Sequence, residues 1–239
     1  MSPSSPNVRR MDLNADLGEG VTDDAGLLAV VTSANVACGF HAGDPATMRA
    51  VCEIAAARGV VVGAQVSYLD REGFGRRAID VGAAVLAQWV GEQIAALSEA
   101  AAGAGLEVAY VKPHGALYNR VVDDDEHAAA VLAGSLELPV LGLPGSALLR
   151  LAGQAGRLAV PEGFPDRGYT PDGRLVPRTE PGALVRDVDQ VARNAVSLAG
   201  SGAVRTVCVH GDSPGALRAA HAVRRALVDG GWTVGSWVR

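Results

Sequence analysis

Lysine is almost missing from this 239-residue chain: of 21 lysines and arginines, only Lys112 is lysine. That scarcity excludes a GxxxxGK[ST] phosphate loop, because Lys112 is followed by Pro113. Neither a GxSxG nucleophile elbow nor an HExxH metal helix occurs. The only cysteines are Cys38, Cys52 and Cys208, with no CxxC pair, which excludes a disulfide framework and a cysteine zinc site. Aromatic residues make up 4% and the net charge is −5, so neither a stacking platform for single strands nor a basic footprint for nucleic acid or an anionic membrane is present. No apolar run reaches the roughly 18 residues that a membrane-spanning helix needs. The polar, Pro/Ser-rich Met1–Arg10 lacks the apolar stretch of a signal peptide. These absences set nucleic acid and membrane aside and predict a cytoplasmic protein with a disordered tail over residues 1–10, followed by one domain over residues 11–239.

Hydrophobic residues are plentiful at 49%, enough for a sizeable core. Short apolar runs at Met11–Leu17, Val30–Ala37, Val60–Val66, Val108–Pro113, Leu138–Leu143, Arg157–Val160 and Arg205–His210 read as strands. Helical patterns alternate with them at Pro45–Arg58, Val81–Ala102, Asp124–Gly134, Ser146–Gln154, Val188–Ala199 and Pro214–Val228. In the longest, Val85, Leu86, Trp89, Val90, Ile94 and Leu97 share one face. About seven β/α units predict an α/β protein with a closed or nearly closed parallel barrel, with a doubly wound open sheet as the rival. Pro161–Pro181, rich in Pro and Gly, reads as a long loop.

In such folds chemistry collects where the strands end. Strand one ends in Asn14-Ala15-Asp16, whose period-2 spacing points Asn14 and Asp16 the same way. A buried Asp16 needs a cation, a histidine or a metal beside it. Two later loops rhyme: His41-Ala42-Gly43-Asp44-Pro45 and His210-Gly211-Asp212-Ser213-Pro214. In each, Asp or Ser suits a helix N-cap and Pro the first helical position, and the same geometry suits an anion. Capping accounts for Asp44 without any ligand, but not for the histidines. Lys112 and His114 share a face after an apolar strand, so Lys112 is suited to a phosphate or oxyanion and His114 to proton movement. Gly73–Arg77 reads as a flexible basic loop suited to an anion, His127 as a solvated helix start and His221 as surface or core.

These strand-end segments resemble the LamB/YcsF family, to which the A subunits of 5-oxoprolinase belong. The carriers are DLNADLGEG (Asp12–Gly20), TSANVACGFHAGDP (Thr32–Pro45), GFGRR (Gly73–Arg77), VKPHGALYN (Val111–Asn119), FPDRGYTPDGRLVPR (Phe164–Arg178) and CVHGDSPGA (Cys208–Ala216). The resemblance implies a seven-stranded (β/α) barrel of the glycoside hydrolase and deacetylase type. It further implies ATP-dependent cleavage of 5-oxoproline (pyroglutamate) to L-glutamate, together with subunits B and C. Ala15 stands where the family often has Cys, and Gln65 where many relatives have His; the second departure weighs against a metal. On residue type and position, Asp16 with the His41/His210 pair is expected to supply base and acid, and Lys112 the cation. Asn14, Asn35, Asp44, His114, Asn119, Arg76 and Arg178 are expected to hold the substrate. ATP is the expected co-substrate, with Mg²⁺ entering only alongside it. Two other readings stay open: a metal-dependent deacetylase using Asp16, His41 and His114, and a non-catalytic lactam-binding subunit.

Overall fold

Strand β1 (Arg10–Leu17) alternates charged or amide residues with aliphatic ones, and both faces are buried. Asp12, Asn14 and Asp16 share one face; Leu13, Ala15 and Leu17 share the other and join the main apolar core. That pattern fits a strand whose inner face lines a polar barrel and whose outer face packs on helices. The structure, a computed structural model, describes residues 9–21, 23–212 and 215–238.

Around β1 the chain runs α1 (Asp24–Leu28), β2 (Ser33–Ala37), α2 (Pro45–Arg58), β3 (Val61–Val66), α3 (Ala83–Gly103) and β4 (Val108–Pro113). Two helices follow, α4 (Gly115–Asp123) and α5 (Asp125–Gly134), then β5 (Val140–Gly142), α6 (Ala147–Gln154) and β6 (Ala159–Gly163). The last elements are α7 (Val188–Ser201), β7 (Thr206–Val209), α8 (Ala216–Asp229) and β8 (Thr233–Val234). Strands β1 to β7 are parallel, each beside the next, and β7 and β2 both pair with β1, which closes the barrel. Closure excludes the open sheet. Among the described residues no helix is long and apolar enough to cross a membrane.

The register stacks polar side chains inside: Asp16 lies opposite Asn35, Gln65 opposite Lys112, and Glu162 opposite Thr206. Below them Tyr110 reaches across the barrel and donates to Asn35 at 2.7 Å. A Cβ on Gly63 would sit 2.1 Å from the Tyr110 ring, so glycine there makes room for it. Trp237 and Val238 pack beneath Tyr110, Leu141 and Val160, stopping the lower end of the barrel.

Several expectations need correction. Residues 1–8 lie outside the described residues, but Arg9 stacks 3.8 Å over Trp232 and Arg10 opens β1, so these two residues belong to the fold and not to a tail. The sixth strand begins two residues later and ends three residues later than expected, taking in Pro161-Glu162-Gly163, which imitates turn chemistry. The long loop therefore starts at Phe164. Helices α1 and α4 are additions to the expected pattern; each is short, α1 following the Gly18-Glu19-Gly20 stretch and α4 starting at Gly115 with only His114 between it and β4. Val85 is 44% exposed, while Gln93 is fully buried on the same helix. His127 is buried rather than solvated: Tyr68 donates to its Nδ1 at 2.8 Å and its Nε2 reaches the Val81 carbonyl at 3.1 Å. His221 is an exposed residue of α8. Asp44 caps α2 through Thr47 N at 2.8 Å, with Pro45 at the first helical position. Ser213 and Pro214 lie outside the described residues, and α8 begins at Ala216 after Gly215.

Candidate active site

A cavity of about 540 Å³ opens at the C-terminal ends of the strands, lined at its base by Asp16, Lys112, His114 and His210 and higher up by Arg76, Arg167, Arg174 and Arg178. The register of β1 and β4 brings Lys112 to Asp16, Nζ to Oδ1 at 3.1 Å, and β6 adds Glu162 Oε1 at 3.0 Å. Lys112 is 2% exposed, so it is a buried charge and not a solvated edge residue. Its third close partner is Cys208 Sγ at 3.0 Å. An ammonium has three N–H donors, and all three are committed here. Burial opposes its charge, but Asp16, Cys208 and Glu162 raise its pKa well above the ordinary lysine value. Burial also opposes ionisation of Asp16, yet Lys112 ahead of His210 and His114 holds that carboxyl below the ordinary range. Glu162, fully buried, is pushed up by burial despite Lys112.

Asn14 and Asn35 sit under this ion cluster and not on the cavity wall. Asn14 Nδ2 donates to Glu162 Oε1 at 3.0 Å; Asn35 Nδ2 donates to Asp16 Oδ1 at 2.9 Å and to Asn14 Oδ1 at 2.7 Å. Both amides orient carboxylates, which is a different task from the expected substrate contact. Asp44 is exposed at the start of α2 and does not line the cavity either. Asn119, Arg76 and Arg178 do. Arg76 pairs with Asp212, and Arg178 Nη1 lies 3.4 Å from the same carboxylate, so two loops place guanidinium groups on one anion. Arg167 is committed to the carbonyls of Ala183 and Val176, and Arg174 to Asp123 and Asp172.

His210 ends β7. Its Nδ1 lies 2.9 Å from Asp166 Oδ2, and its backbone N–H donates to the same atom at 3.1 Å. A carboxylate at Nδ1 makes that nitrogen the proton carrier and leaves Nε2 for the cavity. The ring lies against Phe164, centroids 5.1 Å apart. Burial opposes the Asp166 charge, but His210 outweighs it and lowers its pKa. Sequence reasoning misses Asp166, although it stands inside the quoted FPDRGY segment; Glu162 is hidden by its Pro and Gly neighbours.

His41 goes elsewhere. It is buried behind the cavity wall and stacks on His114, centroids 4.0 Å apart and planes 13° apart. Gln65 ties this group together: its Nε2 donates to Glu19 Oε1 at 3.0 Å and to His114 Nδ1 at 2.9 Å, while its Oε1 accepts from His41 Nε2 at 3.2 Å. His114 Nε2 then donates to the Phe74 carbonyl at 3.1 Å. Both His114 nitrogens are thus engaged in its neutral form, and burial ahead of His41 pushes its pKa well below the ordinary value. The Gly73–Arg77 loop is not a loose arm: Asp70 Oδ1 accepts from Gly73 N at 2.9 Å and Asp70 Oδ2 from Arg77 N at 3.0 Å. A Cβ on Gly75, at φ +69°, would lie 2.9 Å from His41 Cβ.

Glu19, His41 and His114 each place a ligand atom within 4.8 Å of the others, a grouping that spacing in the sequence does not reveal. It does not fit the metal of a deacetylase barrel. Imidazole lone pairs lie in the ring plane, so two stacked rings aim them side by side instead of at one ion. The Gln65 amide already fills their common focus.

Residues 11–239 match the LamB/YcsF family model. The chain belongs to the LamB/YcsF family. It is similar to the A subunit of 5-oxoprolinase from Streptomyces coelicolor, 56% identical over 95% of this chain and 99% of that one. Among solved structures, the lactam utilization protein from Thermus thermophilus superposes with a TM-score of 0.89 at 37% identity, covering 95% of this chain and 100% of that one. The catalytic domain of a peptidoglycan N-acetylglucosamine deacetylase from Eubacterium rectale reaches a TM-score of 0.57 at 16% identity, over 98% of this chain and 91% of that one. That last likeness concerns the barrel alone. The segments that carry Asp16 and His210 bring these two residues to the base of the cavity in this LamB/YcsF member.

Proposed function

We propose that this chain opens the ring of 5-oxoproline as the A subunit of an ATP-dependent 5-oxoprolinase, acting with subunits B and C and releasing L-glutamate, ADP and phosphate. The observation that carries the reading is the pairing, in one cavity, of an Asp166-held His210 with a buried Lys112 beneath a rim of Arg76 and Arg178. A γ-lactam amide resists water at neutral pH, so coupling to ATP makes its carbonyl carbon reactive. Opening the C–N bond then needs a base for water, positive charge near the carbonyl oxygen and a proton for the ring nitrogen.

His210 takes the proton from water at Nε2 and returns one to the departing nitrogen, with Asp166 stabilising the intervening imidazolium. Lys112 acts through its field, since its three donors are occupied by Asp16, Glu162 and Cys208. The substrate carboxylate fits Arg76 and Arg178, which already gather on the carboxylate of Asp212. Asp16 remains ionised as the counter-charge that keeps Lys112 in position. Gln65, His41 and His114 form a hydrogen-bonded wall in this reading, and no resident metal takes part.

The test is reconstitution with candidate B and C subunits, measuring glutamate and ADP together. Coupled formation by the complex and little or none by the chain alone is the expected result. Robust ATP-coupled hydrolysis by the chain alone would remove the partners from the reading. Turnover indifferent to His210→Asn and Lys112→Met would reduce the chain to a lactam-binding component.

A further inference from the structure

Tyr118, on α4, lines the cavity and is 5% exposed, yet its hydroxyl has no hydrogen-bond partner among the described residues. Buried tyrosine hydroxyls ordinarily find one, and an unpaired buried hydroxyl is a standing cost to the fold. For stability alone phenylalanine would serve better. Three neighbouring features say what the hydroxyl is for. The Phe164 ring holds the Tyr118 ring edge-to-face at 5.4 Å, and Lys112 Nζ lies 5.1 Å from that same Phe164 ring, so the Tyr118 ring and the ammonium share one aromatic neighbour. Lys112 has no donor to spare, which leaves the positive field at the cavity base without a hydrogen to give. Glu162 Oε2, also fully buried, has no partner either, so the polar groups of this corner are incomplete without a ligand.

We infer that the Tyr118 hydroxyl reads the amide of the bound lactam, donating a hydrogen bond to its carbonyl oxygen within the field of Lys112. This rests on the lactam reading above and adds the group that recognises the reacting amide. Burial and the nearby Glu162 push the Tyr118 pKa well up, which keeps the proton on the hydroxyl and the group a donor. The field and the hydrogen bond then come from different residues: Lys112 supplies the charge, Tyr118 the directed contact.

The experiment compares the unmodified chain with Tyr118→Phe, each reconstituted with subunits B and C, in steady-state turnover of 5-oxoproline at saturating ATP. Thermal melting of each free chain runs alongside. The expected result is a fall in kcat/KM for 5-oxoproline of about ten- to a hundredfold, between the effect of one neutral hydrogen bond and that of an oxyanion donor. The KM for ATP stays unchanged and the melting temperature is equal or higher, because an unpaired hydroxyl has been removed. Equal kinetics in an active complex, or a melting temperature that falls with the activity, would overturn the inference and leave the lactam reading standing. An unmodified complex that forms no glutamate from 5-oxoproline would overturn the lactam reading and this inference with it.

Discussion

Replacing Lys112 by methionine separates charge from packing at the base of the cavity. The side chains are close in length, so the volume is nearly kept, but three contacts of 3.0–3.1 Å lose their donor. Asp16 and Glu162 are then left 3% and 0% exposed with no cation. Removing one partner of a buried ion pair costs about 3–5 kcal/mol. At roughly 2–4 °C per kcal/mol for a chain of this size, the melting temperature should fall by roughly 6–20 °C. Turnover of the reconstituted complex should fall about 10²–10³-fold, as for loss of one preorganised electrostatic contact. The two losses are separated by Lys112→Met combined with Glu162→Gln, which removes a carboxylate while its amide still accepts from Asn14. The double variant should regain part of the melting temperature, since Asp16 still lacks its cation, and none of the turnover. Lys112→Arg should also fail in turnover, because a planar guanidinium cannot present three donors from one nitrogen to Asp16, Glu162 and Cys208. If the double variant recovers activity together with stability, or Lys112→Arg turns over like the unmodified protein, the assignment of Lys112 as the cation of the reaction is wrong.

His210→Asn and Asp166→Asn should each lower kcat of the complex by about 10²–10⁴-fold with little change in the KM for 5-oxoproline; a loss confined to KM would make the pair a binding element. The purified chain should carry no stoichiometric transition metal on elemental analysis; metal bound by the unmodified chain and removed together with activity by a chelator would refute the metal-free wall. Glu162 binds its proton more tightly when folded than when unfolded, since burial raises its pKa, so its contribution lowers stability as pH rises above the ordinary glutamate value of about 4.3. Glu162→Gln should therefore flatten the decline of melting temperature with rising pH above that value, and an unchanged slope would place a full charge on Glu162 already at low pH.

Much of the barrel is legible in the order of the residues. Apolar runs spaced by helical patterns mark seven strands, because a strand covered on its outer face by helices must be apolar there whatever it faces inside. Asp44-Pro45 marks the start of α2 because capping is a local matter of one side chain and the next three amides. Lys112 stands out in a chain that uses arginine everywhere else, and its position after Val108–Val111 places it at a strand end. Local signals mislead where their chemistry is ambiguous: Pro161-Glu162-Gly163 looks like a turn but is strand, and His127, after four acidic residues, looks solvated but is buried against Tyr68.

The strand-helix alternation, the chemistry-bearing loops and the family are written in the order of the residues, because each depends on residues near one another along the chain. Which of those residues meet is set by the folded barrel. Asp166 reaches His210 across 44 positions, and Asp16 reaches Lys112 across 96. Those meetings follow from barrel closure and from register, which sets Gln65 beside Lys112 and sends His41 to His114 instead of His210. Closure is a property of all seven strands at once. No stretch of sequence carries it alone.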